Sequence, residues 1–254
     1  MAQGTQRPFD VHDSSDCFLP VVERFVSING EGPRAGRLAA FIRFAGCNLA
    51  CSWCDTSWAN VGNCQHEDAS PNWLVSWVAG TGATCVTLTG GEPALQPGLP
   101  ALIKALCESD EWGCGGNRSI EIETNGAVDL SDLHGLRCSL EDAGRESAAH
   151  VYFTVDCKMP SSGMASEMLP SNYAFLRKGD AVKFVVASIE DLECAKAVLE
   201  EHDLCSRCEV FFSPVFSCIE PSEIVDFMEQ EGLSQVRLQL QLHKIIWPEQ
   251  DRGV

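Results

Sequence analysis

The sequence predicts an α/β fold, a partial barrel that is open and about six-stranded, on three observations. Short apolar, β-branched runs recur at Arg37 to Phe44, Thr84 to Leu88, Ser119 to Glu123, Val151 to Asp156, Ala181 to Val186 and Glu209 to Phe212. Helical patterns separate several of them, at Pro71 to Ala79, Leu99 to Glu108, Ile189 to Glu201 and Pro221 to Glu231. Strands alternating with helices imply right-handed crossovers and a parallel sheet buried on both faces. A closed eight-unit barrel takes about 250 residues. Much of this 254-residue chain goes instead to an N-terminal region and polar insertions, so the barrel is expected to stay open.

Taken in order, residues 1–20 form an expected mobile N-terminal segment and residues 21–254 a single domain. Arg24 to Ile28 reads as a strand, separated from Arg37 to Phe44 by a turn-rich loop containing Gly30, Gly32, Pro33 and Gly36. The second strand feeds a cysteine-rich loop. Ser109 to Arg118 and Asp129 to His150, rich in Gly, Ser and charge, read as loops or added surface. Near the end, Leu238 to Leu242 alternates Leu and Gln as a strand does, with His243 and Lys244 closing it. Beyond the βα alternation there is no internal repeat.

A hydrophobic content of 45% and a mean hydropathy near zero suit a soluble core. No apolar run approaches the roughly 18 residues of a membrane helix, and the first residues lack a basic stretch followed by an apolar one. A cytoplasmic protein is expected. The net charge of −18 argues against nucleic-acid binding, which needs a Lys and Arg surface, and favours small-molecule chemistry. Fourteen cysteines suggest a disulfide framework only in short secreted chains, and this chain is long enough to build a core. Cys17, Cys64, Cys85, Cys107, Cys114, Cys138, Cys157, Cys194 and Cys218 therefore read as packed or tolerated thiols.

The chemistry concentrates in Cys47, Cys51 and Cys54, spaced CxxxCxxC. Three thiolates on one loop can hold three irons of a cubane cluster and leave the fourth open to an outside ligand. The alternative is a structural zinc knuckle completed by Cys64 or His66, but structural zinc pairs two ligand hairpins and neither residue forms such a pair. Cys205 and Cys208 form a lone CxxC, which reads as structural thiols or as an auxiliary metal or redox pair. In Thr89 to Pro93, glycine after a strand lets backbone approach a ligand. Asp55 and Thr56 read as local caps. Glu31 and Arg43 read as a surface acid and a satisfied strand arginine, although the arginine's fork on an apolar strand suits a carboxylate. Glu123 to Asn125, Asp156 to Lys158 and Ser213 to Phe216 end parallel strands and so share one rim.

INGEG at Ile28 to Gly32, FIRFAGCNLACSWCDT at Phe41 to Thr56, TLTGGEP at Thr87 to Pro93 and LQLHK at Leu240 to Lys244 resemble the radical S-adenosylmethionine (radical SAM) enzymes. Among these they are most similar to the 7-carboxy-7-deazaguanine synthases of queuosine and deazapurine biosynthesis. The resemblance runs from about Phe25 to Val254. It implies a [4Fe–4S] cluster on Cys47, Cys51 and Cys54, with S-adenosyl-L-methionine on its open iron as the source of a 5'-deoxyadenosyl radical. The implied reaction converts 6-carboxy-5,6,7,8-tetrahydropterin to 7-carboxy-7-deazaguanine with loss of ammonia. Implied cofactor contacts are Trp53, Cys54, Asp55, Gly91, Glu92, Glu123, Asp156, Cys157, Lys158, Ser213, Pro214, Val215 and Phe216. Implied substrate contacts are Ile28, Asn29, Gly30, Glu31, Arg43, Thr89 and His243, and Thr56 would hold Mg2+. The family usually has Gln at Asn29, so backbone contacts are carried over there. A homodimer reduced by flavodoxin or ferredoxin is expected. Rival readings are an activase that abstracts hydrogen from a partner protein's glycine, and an iron–sulfur electron carrier, which would normally supply four protein ligands.

Overall fold

The computed structural model describes residues 17–112, 118–144, 149–250 and 252–254. The elements run β1 (Leu19–Ile28), β2 (Leu38–Phe44), β3 (Glu67–Ala69), α1 (Pro71–Thr81), β4 (Cys85–Gly90), α2 (Leu99–Glu108), β5 (Ser119–Thr124), α3 (Ser131–Asp142), β6 (His150–Lys158), β7 (Ala181–Val186), α4 (Ile189–Glu201), α5 (Leu204–Arg207), β8 (Glu209–Pro214), α6 (Pro221–Gln230), β9 (Val236–Leu238) and α7 (Leu242–Ile246). One nine-stranded sheet has the order β3-β1-β2-β4-β5-β6-β7-β8-β9. From β2 to β9 every pairing is parallel, while β1 and β3 add an antiparallel edge. The sheet is open and mostly parallel, as expected, with β9 as a seventh parallel strand.

Helix starts follow local chemistry. Ser70 accepts from the Trp73 amide at 3.3 Å and Pro71 opens α1. Ser188 caps α4 through the Asp191 amide, and Glu220 with Glu223 forms a capping box on α6.

Period-two alternation sorts the strands into two faces. Ile42, Phe44, Val86, Leu88, Ile120, Ile122, Phe153, Val155, Phe184 and Phe212 point to the helices and pack with Leu74, Leu102, Leu106, Leu192, Leu199 and Ile224 in the main core. The opposite face carries Thr87, Thr89, Glu121, Glu123, Thr154, Asp156 and Lys183. This second face is largely buried, as expected of the parallel sheet, but it is polar and must be satisfied by hydrogen bonds. The β1–β2 loop does this at its lower half. Arg34 Nε donates to Glu121 at 3.1 Å, Thr87 donates to Asn29 at 2.7 Å, and Gly32 exchanges backbone hydrogen bonds with the Gln239 side chain.

Four further expectations change. Residues 1–16 lie outside the described residues, but pairing in β1 already starts at the fully buried Leu19, inside the segment expected to be mobile. Asp129 to His150, read as loop, contains α3. Its single apolar face is interrupted by Arg137, which is buried and pairs with Asp180 through Nη1 at 2.8 and 2.9 Å, so ionic pairing replaces the missing apolar periodicity. In Ser109 to Arg118, Trp112 belongs to the core and donates to the Ala83 carbonyl at 2.7 Å, whereas residues 113–117 lie outside the described residues. Leu238 to Leu242 is not one strand: β9 ends at Leu238, Gln239 turns to Gly32, and the Leu242 amide donates to the Gly30 carbonyl at 3.2 Å to start α7.

Asp180 also accepts from the amides of Phe153 and Arg177, and Arg137 Nη2 donates to the Phe175 carbonyl at 2.7 Å. Removing one partner of so buried a pair strands the other charge. Arg137→Met is expected to cost about 3–5 kcal/mol in denaturant unfolding. A loss below about 1 kcal/mol would mean that the pair is relieved by water.

Candidate active site

A cavity of about 630 Å³ opens at the C-terminal ends of the parallel strands. Cys47, Cys51 and Cys54 line it together, on a loop left by β2 through Gly46, whose φ of +85° only glycine adopts freely. The loop is tied down at both ends. Gly46 donates to the Ala59 carbonyl at 3.0 Å, Ser52 donates to the carbonyls of Ser162 and Ser161, and Trp53 Nε1 donates to Ser161 Oγ at 3.4 Å. Two asparagines from different segments reach the thiols: Asn125 donates to Cys47 Sγ at 3.4 Å and Asn60 to Cys54 Sγ at 3.8 Å.

Burial holds the Cys51 and Cys54 thiols above their ordinary value, so metal binding must displace their protons. Among the described residues no three Cys, His, Asp or Glu side chains converge on one ion. A tetrahedral zinc site would require that convergence, with every sulfur about 2.3 Å from one metal. Ligands to separate irons of a cubane do not. Sulfur donors, cavity and amide donors thus fit a [4Fe–4S] cluster.

The glycines after β4 close against the same loop. A Cβ on Gly91 would lie 1.9 Å from the Gly46 carbonyl oxygen and 2.5 Å from Asn60 Oδ1. Asn60 Oδ1 is itself buried without a partner, an acceptor at the cavity wall beside Gly91. Gly91 and Thr89 line the cavity, but Glu92 does not. It is fully buried behind the wall, accepting from the Ala94 amide, Thr124 Oγ1 and the Asn125 amide at 2.6–2.9 Å. Burial pushes its carboxyl up to about 7 against the pull of those donors. Glu92 therefore braces the β4 and β5 loops, which corrects its expected role as a cofactor contact.

Alternation decides the next group. Asp156 and Lys158 line the cavity, whereas the Cys157 side chain between them faces the helices and accepts from Tyr173 Oη at 3.1 Å, which corrects it as a side-chain contact to the cofactor. Pro214, Val215 and Phe216 line the cavity, while Ser213 is buried and donates to Glu31 Oε1 at 3.2 Å. Glu123 faces the cavity and burial raises its carboxyl to about 7. Lys183 was not singled out from the sequence. Its Nζ pairs with Glu31 at 2.9 Å and with Asp156 at 3.2 Å, and Asp156 also binds Lys158 at 2.6 Å. Burial works against the Lys183 ammonium, and Asp156, Glu31 and Glu123 outweigh it and hold it well above the usual lysine value. The available signal was a charge inside the apolar run Ala181 to Val186.

At the far end, Ile28, Gly30, Glu31, Arg43, Thr56 and His243 line the cavity. Arg43 donates through Nε to Glu23 at 2.7 Å and through Nη1 to Thr56 Oγ1 at 3.3 Å, and Thr56 donates to Asp55 at 3.1 Å. His243 lies in the first turn of α7 against Gly30, where any Cβ would stand 2.7 Å from its Nδ1. Burial lowers its basicity, which favours neutral imidazole. The Asn29 side chain points away, buried against Thr87, Cys85 and Glu121, which leaves only its backbone for the expected contact. Trp58, Asn60, Gln241 and Trp247 also line the cavity and carried no sequence signal beyond nearness to motifs.

Comparison with known proteins agrees with this geometry. Residues 41–145 match the radical SAM superfamily. The chain is 43% identical over 234 residues to a 7-carboxy-7-deazaguanine synthase from Clostridium acetobutylicum, covering 92% of this chain and 98% of that one. It is 34% identical to another from Chlorobaculum tepidum, covering 95% and 100%. In fold it resembles QueE from Escherichia coli, with a TM-score of 0.63 over 88% of this chain and 94% of that one, at 20% identity. Near-complete coverage at such identity, on a chain whose three cysteines share a cavity with the β4 glycines, shows that it belongs to the 7-carboxy-7-deazaguanine synthase family of radical SAM enzymes.

Proposed function

We propose that this chain is a radical SAM carbon–nitrogen lyase that converts 6-carboxy-5,6,7,8-tetrahydropterin to 7-carboxy-7-deazaguanine with release of ammonia, in deazapurine biosynthesis. The observation that carries this reading is a single cavity with three cysteine thiols at one end and Glu31, Arg43, Thr56 and His243 at the other. Its volume of about 630 Å³ is that of a small-molecule site, which favours a pterin over the peptide loop of an activase substrate.

Cys47, Cys51 and Cys54 would hold the [4Fe–4S] cluster, and Gly91, Asp156 and Lys158 would contact S-adenosyl-L-methionine. When bound and reduced, this pair supplies a 5'-deoxyadenosyl radical that removes a substrate hydrogen. The chain's own work is positioning and exclusion of water. Arg43, held by Glu23 through Nε and by Thr56 through Nη1, lines the cavity and would pair with the substrate carboxylate. Glu31, fixed by Lys183 and Ser213, accepts from the N–H groups of the pterin ring, and neutral His243 supplies one further hydrogen bond. Thr56 Oγ1 would bind Mg2+ together with substrate and water oxygens, as suits a hard cation with few protein ligands.

Among the described residues no helix is long and apolar enough to cross a membrane, and the thirteen described cysteines carry free thiols. We assign this family member to the cytoplasm, as one domain that begins with β1 at Leu19, and propose a homodimer that receives electrons from a flavodoxin or ferredoxin.

Anaerobic reconstitution with iron and sulfide, followed by assay of reduced protein with S-adenosylmethionine, Mg2+ and carboxytetrahydropterin, should give a species lighter by one ammonia in mass spectrometry. Cofactor cleavage with untouched pterin would keep the superfamily and remove the substrate. Cys51→Ala should lose the cluster, read as loss of its visible absorbance and bound iron. Thr56→Ala should keep the cluster and lose most of the Mg2+ stimulation of turnover, and loss of the cluster there would show that the hydroxyl serves the loop instead.

A further inference from the structure

Lys183 sits on β7 with every neighbour in the strand buried, and its ammonium is shared by two carboxylates that serve different ends of the cavity. Glu31 comes from the β1–β2 loop and is fixed on its other oxygen by Ser213. Asp156 comes from β6 and divides its oxygens between Lys183 at 3.2 Å and Lys158 at 2.6 Å. The Lys158 ammonium in turn lies 5.4 Å from the ring of Trp53 on the cysteine loop. A continuous line of polar contacts thus runs from the cluster loop to the substrate end, and Lys183 is its middle member.

We propose that Lys183 couples the two ends, so that S-adenosylmethionine at the Asp156–Lys158 end and the carboxylated pterin at the Glu31 end strengthen each other's binding. The proposal rests on the functional reading above. One ammonium has three donors, and here it holds two carboxylates from different segments at the same time, 2.9 and 3.2 Å away. A ligand that fixes Asp156 fixes the position from which Lys183 holds Glu31, so the second ligand meets an already ordered partner. Such coupling is reciprocal by linkage and typically spans about 5–150-fold in affinity. The contacts of Lys183 Nζ are with Glu31 and Asp156, and the role assigned to it is that of a positioning residue.

The test uses anaerobically reconstituted full-length protein with the cluster left oxidised, so that no turnover occurs. Dissociation constants for S-adenosylmethionine are measured by calorimetry with and without carboxytetrahydropterin and Mg2+, and those for the pterin with and without S-adenosylmethionine. Wild type should show the same enhancement, at least about 5-fold, from both directions. In Lys183→Met the enhancement should fall to about one, and Lys183→Arg, which keeps the cation, should restore part of it. A purely structural role would weaken each affinity and leave the ratio intact, and that result overturns the proposal, as does a wild-type ratio of one with both ligands bound. If Lys183→Met fails to fold, Ser213→Ala removes the other tie on Glu31; there the ratio should drop, and an unchanged ratio overturns the coupling. Binding of S-adenosylmethionine without any pterin binding overturns the functional reading and the coupling with it.

Discussion

Glu121 has no access to water and lies in the middle of the sheet, on the face away from the helices. A carboxylate there is tolerable only with full hydrogen-bonding, and its partners are Arg34 and Asn29 from the β1–β2 loop and Thr154 from β6 at 2.6 Å. The requirement bends that loop across the sheet. Arg34 lies against the Tyr152 ring at 4.1 Å, and a Cβ on Gly32 would come within 2.8 Å of Glu121 Oε1, so the loop is seated as tightly as backbone allows. Residues 28–31 are then delivered to the cavity as a rigid consequence. That wall of the cavity is carried by a loop which a buried acid in the middle of the same face holds in place.

The same face explains which parts of the site could be read in advance. Motif residues on strand ends, such as Thr89, Glu123, Asp156 and Lys158, come together because parallel strands share one rim. Where the reading failed, it ignored side-chain parity or backbone turning. Cys157 shares a strand with Asp156 and Lys158 yet must face the helices, and Glu92 follows two glycines that reverse the chain and send it behind the wall. Lys183 was hidden because a charge in an apolar run has no local sign of its partners, which come from sites 27 and 152 residues away.

For the fold, α2, α4 and β7 were legible to the residue because apolar periodicity coincides with clear punctuation. The helix α3 was not. Its inward face contains Arg137, and only the distant Asp180 turns that polar position into a core one. The short β9 and the start of α7 depend on Gln239 and Gly30, both contacts across about two hundred residues, and a sequence pattern carries no record of them. The acidic net charge is similarly uninformative about the cavity, where Arg43, Lys158, Lys183 and Lys244 stand among Glu31, Asp55, Glu123 and Asp156.

The seam of this open barrel is closed without a strand ladder. Between the β1–β2 loop and the chain after β9 the main ties are the Gly32–Gln239 exchange and the Leu242 to Gly30 hydrogen bond. Each is worth about 0.5–1.5 kcal/mol, far less than a paired strand within the core, so the two sides of the cavity differ in stiffness. Parting the seam leaves every β-ladder intact, while loosening the cysteine loop means pulling Gly91 from its contact with Gly46 at the top of the sheet. Opening at the seam therefore disturbs fewer backbone pairings than displacing the cysteine loop does.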